Sequence, residues 1–304
     1  MRMEELVQET LQHVFGDESI VFDKSRFAGG LTNYNYIMTI KGMEYVIRRP
    51  GGMTEQIIDR NIERVNNHIA SEFGVNSDCV YFDEQSGIKI SVYIKNSKNM
   101  AIADPSSPQN LESVSCTLKR IHSFPINFPN RFDWLAELSK YELIIQQLHG
   151  SFFFDYTTLK DQLVTFVQET NKNTMLVPSH NDTVPENFII DDTGRTYLVD
   201  WEYSGMNDPC WDVAAYILES KLSSEAIHHL VQNYFGHTLT PMEELKIKNF
   251  MMAQDLLWTA WALIRHYNGD DFLEYCCLRY ERLRKNIKLM TKSPQCSLAS
   301  MVMI

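Results

Sequence analysis

The sequence predicts an α+β chain of two lobes: a first with a five-stranded antiparallel sheet and one helix, and a second that is mainly helical. Three observations carry that expectation. Residues 25–94 alternate apolar and polar positions and are rich in β-branched and aromatic side chains, as half-buried strands are. From about residue 110 the apolar residues recur at helical spacing instead. Between these textures runs "KNSKNMAIADPSSPQN", a polar stretch with Pro105 and Pro108 that reads as a linker and divides the chain into 1–95 and 96–304.

The elements follow in order. "MRMEELVQETLQHVF" sets Leu6, Val7, Leu11, Val14 and Phe15 on one face of a helix, and its acids set it apart from a signal peptide. Five strands are expected in "RFAGG", "NYNYIMTI", "MEYVIRRP", "CVYFDE" and "IKISVYI", with one helix over 55–72 between the third and the fourth. Beyond the linker, helices are expected near 110–123, 132–150, 157–170, 209–221, 223–235, 241–267 and 270–290. Ahead of the helix at 209, Phe188, Ile189 and Ile190 and then Leu198 and Val199 form two short strands joined by the turn "DDTGR". No internal repeat or low-complexity tract interrupts the pattern.

Composition narrows the function. With 304 residues, 44% hydrophobic and 22% charged, the chain is an ordinary soluble sequence long enough for one large or two modest cores. A formal charge of −11 argues against a duplex nucleic-acid partner, which needs a basic face, and is compatible with a small cationic substrate. The richest apolar run, "FMMAQDLLWTAWALI", is broken by Gln254 and Asp255 and is too short to cross a bilayer, so no membrane partner is expected. Cys79, Cys116, Cys210, Cys276, Cys277 and Cys296 show no paired metal spacing, and so few in so long a chain suggest reduced thiols and a cytoplasmic location.

Packing explains the apolar residues of "SHNDTVPENFII" and "YLVDWEY", but not Asp182, Asn187 and Asp200. Phosphoryl transfer needs a base for an acceptor hydroxyl, oxygen ligands for Mg²⁺, a cation on the nucleotide phosphates and a glycine-rich turn over them. Asp182 suits the base. Asn187 five residues later and Asp200 after the next strand pair offer hard oxygen donors for Mg²⁺. Five strands with a helix after the third, followed by a helical half carrying this run, is the layout of a protein-kinase-like fold. About eight residues separate Asp200 from the next helix, too few for a peptide-docking activation segment, so the acceptor is expected to be a small molecule. Asn181, where the H-R-D motif has an arginine, points the same way.

The run "SHNDTVPENFII…YLVDWEYSGMNDPCWDVAAY" resembles the choline/ethanolamine kinase family, within the wider group that includes aminoglycoside phosphotransferases. "FAGGLTNYNYIM", "YVIRRPG", "DRNIERVNNHIA", "KISVYI", "LKRIHS" and "LLWTAWALIRH" extend the likeness over most of the chain. The resemblance implies ATP and Mg²⁺, with Gly29, Gly30, Thr32 and Asn33 forming the phosphate loop. Arg48 stands where a protein kinase has its strand lysine; the resemblance puts it on the nucleotide phosphates, with Glu63 as its ion-pair partner. It makes Trp258, Trp261 and Tyr275 the walls of a choline cage, with Tyr203 nearby, because ring faces attract a quaternary ammonium. His180 and Asp212 are expected to brace the loop, and Glu202 either faces metal or substrate or braces too.

Each role has a plainer competitor: a turn cap for Asp182, a turn amide for Asn187, a surface pair for Arg48 and Glu63, a hairpin for the two glycines, and a core stripe for the tryptophans. Arg49, Arg60 and Arg64 also leave the register of the Arg48–Glu63 pair open. The combined reading is a choline kinase forming phosphocholine and ADP, as a monomer or homodimer. Its alternatives are an ethanolamine, other amino-alcohol or aminoglycoside kinase, the last needing carboxylates in place of aromatics, or a non-catalytic nucleotide- or choline-binding module.

Overall fold

The computed structural model of the chain describes residues 3–30, 32–170 and 174–302. Its order is α1 (Met3–Phe15), β1 (Phe27–Gly29), β2 (Asn33–Ile40), β3 (Met43–Pro50), α2 (Thr54–Ile57), α3 (Arg60–Glu72), β4 (Cys79–Phe82), β5 (Lys89–Val92) and the two-residue β6 (Lys98–Asn99). There follow α4 (Pro108–His122), α5 (Trp134–Gln147), α6 (Tyr156–Thr170), β7 (Val177–Ser179), β8 (Phe188–Ile190), β9 (Thr196–Leu198) and β10 (Gly205–Asn207). The last helices are α7 (Cys210–Glu219), α8 (Ser224–Phe235), α9 (Pro241–Tyr267), α10 (Leu273–Lys292) and the short α11 (Leu298–Val302), which no sequence pattern announced.

The packing resolves into two units, Met1–Lys98 with Ile189–Tyr203, and Asn99–Phe188 with Ser204–Ile304. Boundaries read from texture, 1–95 and 96–304, treat the chain as two contiguous pieces, whereas residues 189–203 return to the first unit. Among the bonds that hold them there, the Leu198 N–H donates to Val75 O at 2.7 Å, and Arg195 Nη2 donates to Gly74 O at 3.0 Å.

In the first unit the strands run in the order β1-β2-β3-β5-β4, with every ladder antiparallel. Val7 and Leu11 of α1 are fully buried against Met38, Ile40, Tyr45, Ile47, Ile88 and Ile90 on one face of this sheet. The single helix expected over 55–72 is two. Ile58 is extended (φ −115°, ψ 130°), and the Asp59 carboxylate accepts the N–H groups of Asn61 at 3.0 Å and Ile62 at 3.2 Å, starting α3 afresh.

In the second unit the buried helix is α9, which packs against α5, α6, α7 and α10. Its start is fixed by a capping box between Thr240 and Glu243 with Pro241 in the first turn. A β7–β10 ladder pairs Ser179 with Gly205 and so anchors the loop that begins at His180. Among the described residues, no helix is long and apolar enough to cross a membrane.

Candidate active site

In the first unit, β2 and β3 pair Asn35 with Arg48, and the helix α3 brings Glu63 to the same place. Arg48 is 2% exposed and Glu63 wholly buried. A guanidinium fork meets a carboxylate: Arg48 Nη1 bonds Glu63 Oε1, Nη2 donates to Oε2 at 3.1 Å, and Nε and Nη2 both donate to Gly87 O, at 3.2 and 3.0 Å. Lys89 Nζ lies 3.5 Å from Glu63, and Arg60 Nη1 donates to Glu63 Oε2 at 2.5 Å. Burial alone would raise the Glu63 pKa; Arg48, Lys89 and Arg60 together overcome it and hold the carboxyl down at about 2.

The same unit carries Asp200 and Glu202. Asp200 has a left-handed backbone (φ 70°), an uncommon state for a non-glycine residue, and its side chain keeps 31% exposure with Oδ1 3.9 Å from Arg48 Nη1. Glu202 is buried; its Oε2 accepts from Asn33 Nδ2 at 2.8 Å and Arg60 Nη1 at 3.2 Å. Burial, with the Asp200 charge beside it, pushes its carboxyl up to about 7 against the pull of Arg60. Asn33 closes the turn that starts at Gly29 and Gly30. A side chain on Gly30 would put Cβ 1.9 Å from Asn33 O, so only glycine fits there. Thr32 lies in the bend before β2, Leu31 lies outside the described residues, and Tyr203 is buried in this unit.

The second unit holds the loop from His180 to Asn187. Asp212, fully buried in the first turn of α7, accepts the N–H of His180 at 2.9 Å and of Asn181 at 2.7 Å, and lies 3.1 Å from His122 Nε2. The His180 Nδ1 accepts the Asp182 N–H at 3.3 Å, which makes that nitrogen the unprotonated one and gives the ring a bracing task. Asn181, also left-handed at φ 69°, is pinned by Asn207 Nδ2 on its Oδ1 at 2.9 Å and Trp211 Nε1 on its O at 3.1 Å. Asn187 Nδ2 donates to Asp182 O at 2.9 Å and to Asp182 Oδ2 at 3.1 Å. That leaves the Asn187 amide oxygen, a hard donor, for a ligand outside the loop.

Trp258 and Trp261 lie three residues apart on α9 and are 7% and 4% exposed. Trp261, Phe272 and Tyr275 form a near-perpendicular trio: centroids stand 5.1 Å apart at 88° for Trp261 and Phe272, 6.1 Å at 87° for Phe272 and Tyr275, and 6.4 Å at 73° for Trp261 and Tyr275. These rings already attract cations. The Arg265 guanidinium lies 5.7 Å from the Trp261 centroid and 5.4 Å from that of Phe272, and Arg279 lies 4.7 Å from Tyr275. Asp270 holds Arg265 at 2.8 Å, and Glu219 holds Arg279 at 2.7 Å.

Over residues 25–234 the chain matches the choline/ethanolamine kinase family. It belongs to that family. Protein LicA of Haemophilus influenzae is 32% identical to this choline/ethanolamine kinase over 297 residues, 94% of this chain and 84% of that protein. The crystal structure of choline kinase LicA from Streptococcus pneumoniae superposes with a TM-score of 0.78 at 26% identity, covering 94% of this chain and 99% of that one. A structure of LicA in complex with AMP gives 0.79 at 26% identity, covering 95% and 99%. As a choline/ethanolamine kinase, the protein is a phosphotransferase of protein-kinase-like fold acting with ATP on a small-molecule alcohol.

Several residues of this choline/ethanolamine kinase site escaped the sequence reading. Phe272 sits three before Tyr275, a spacing that signals a shared surface, and it falls within the helix expected over 270–290, but it received no role; it is the residue just before α10 begins. Arg60 was visible only as a rival cation near Glu63, and His122 only as part of "LKRIHS". Gly87 contributes a backbone carbonyl, which no residue type announces.

Proposed function

We propose that this family member is a Mg²⁺-dependent choline kinase, transferring the γ-phosphoryl group of ATP to the choline hydroxyl to give phosphocholine and ADP. Asp182 accepts the hydroxyl proton as the oxygen attacks phosphorus. Asn187, by its amide oxygen, and Asp200, by its partly exposed carboxylate, supply oxygen ligands suited to Mg²⁺, which keeps several waters and prefers hard donors. When bound, Mg²⁺ neutralises charge on the phosphates. Gly29, Gly30, Thr32 and Asn33 present backbone amides to the phosphates, and Arg48, oriented by Glu63, sets the positive potential beneath them. Glu202 braces the metal-bearing turn, and Trp258 and Tyr203 are the further aromatics of the acceptor side. The reaction takes place in the cytoplasm, where ATP is at hand.

The observation that carries the choice of choline is the Trp261–Phe272–Tyr275 trio. A trimethylammonium group donates no N–H bond, so its recognition comes from ring faces, worth about 0.5–2 kcal/mol each when desolvated. Ethanolamine brings three donors that aromatic walls leave unpaired, at a cost of about 1–3 kcal/mol. An ATP-consumption assay with a panel of amino alcohols is expected to give choline a kcat/KM roughly tenfold or more above ethanolamine. In Trp261→Ala the KM for choline is expected to rise much more than that for ATP, with Tm recorded alongside. Equal kcat/KM for both alcohols, or an unchanged choline KM in a folded but destabilised Trp261→Ala, would make the trio packing and remove the choline assignment.

A further inference from the structure

Arg60 opens α3, is 7% exposed, and meets Glu63, Glu202 and Asn33 at once. Its Nη1 is shared between Glu63 Oε2 at 2.5 Å and Glu202 Oε2 at 3.2 Å, and its Nη2 donates to Asn33 Oδ1 at 3.2 Å. Asn33 in turn donates through Nδ2 to Glu202 Oε2 at 2.8 Å, closing a ring of Arg60, Asn33 and Glu202. One planar, rigid group therefore fixes three partners from three parts of the chain, which a flexible ammonium cannot do.

Each partner of the ring has a neighbour with a task. Asn33 is the last residue of the phosphate loop, and its carbonyl is the group against which Gly30 folds. Glu202 stands two residues after Asp200, and Glu63 is the carboxylate that orients Arg48. We infer that Arg60 is the positioning residue that locks the phosphate loop to the Asp200 turn, so that nucleotide and Mg²⁺ bind as one unit. A loop displaced from Asn33 drags Glu202, and with it the left-handed backbone at Asp200. Charge acts in the same sense. Glu63, Glu202 and Asp200 crowd one region against Arg48, Arg60 and Lys89, and loss of Arg60 leaves Glu202 buried without the guanidinium that offsets it.

The inference rests on the reading of Asp200 as the metal carrier, and ADP binding tests it without any acceptor alcohol. Titration calorimetry with ADP, at zero and at saturating Mg²⁺, is run on the parent, Arg60→Gln, Arg60→Lys and Asp200→Ala, with Tm recorded for each. In Arg60→Gln the factor by which Mg²⁺ tightens ADP is expected to fall about tenfold, within the usual range of coupling between two sites. Affinity without Mg²⁺ should change by less than about threefold, since the Arg48–Glu63 fork stays. Arg60→Lys should recover part of the factor, because it restores charge without the fork. A merely structural Arg60 lowers Tm and leaves the Mg²⁺ factor of the folded protein at the parent's value, which overturns the inference. Should neither Arg60 variant fold, Asn33→Ala decides in the same way: a reduced factor supports the lock and an unchanged one overturns it. Asp200→Ala tells the two ideas apart. If it keeps the parent's factor, the metal reading fails; if it loses the factor while Arg60→Gln keeps it, the inference fails.

Discussion

Asp182 sits in a loop whose every neighbour is tied down, so its carboxylate is presented in one orientation. Its backbone N–H goes to His180, its carbonyl and Oδ2 receive Asn187, and the two residues before it hang from Asp212. Asp182→Asn keeps this shape and removes the basicity. It is expected to leave ATP affinity largely intact and to lower turnover by roughly 10²–10⁴-fold, the range for a lost general base. Turnover within about threefold of the parent would take Asp182 out of the mechanism. At this scale the sequence names residues where chemistry demands a type at a fixed offset, and Asp182 and Asn187, named on that ground, lie hydrogen-bonded in one loop. It gave Phe272 no role and Arg60 only that of a rival cation near Glu63, because Trp261 and Glu202, which they meet, lie on other elements; Arg60 and Glu202 are 142 positions apart. Geometry, not residue type, gives such a side chain its task.

Among the elements, α3 shows how a local signal can be hidden in a longer one. The periodic pattern of 55–72 runs through Asp59 without a break, and an acid on a helix surface is unremarkable. Only its bonds to Asn61 and Ile62 reveal a cap, and with it the point where the chain restarts and Arg60 and Glu63 gain their orientation. Asp59→Ala is expected to lower stability by about 0.5–2 kcal/mol, read from the urea midpoint, with Asp59→Ser retaining most of it. An unchanged midpoint would mean that α3 is held by packing alone. Helix α9 was legible almost to the residue, since a capping box, a proline in the first turn and a long apolar stripe all agree. The β7–β10 ladder was not, because strands of three residues are shorter than any alternation can establish.

For the molecule as a whole, the first unit is built from two stretches of chain, 1–98 and 189–203. The bonds from Asn33 and Arg60 to Glu202, from Leu198 to Val75 and from Arg195 to Gly74 all join the second stretch to the first. A fragment of residues 1–98 alone loses these partners, leaving buried donors unpaired at about 1–3 kcal/mol each. It is expected to unfold without a cooperative urea transition by circular dichroism. Joining residue 98 to 189 by a short Gly-Ser linker and ending at 203 should restore cooperativity, and a sharp transition in 1–98 alone would show the hairpin dispensable. No window of sequence shows this return, since alternation and helical spacing report on near neighbours only. The discontinuity also bears on how such genes can be reshuffled. Moving the first unit intact between two relatives takes breakpoints after Lys98, Phe188 and Tyr203, so a single crossover either splits its two stretches or carries residues 99–188 of the second unit along with them. The pieces must descend together, and engineered chimeras of these enzymes should be spliced as an interleaved pair instead of front half to back half.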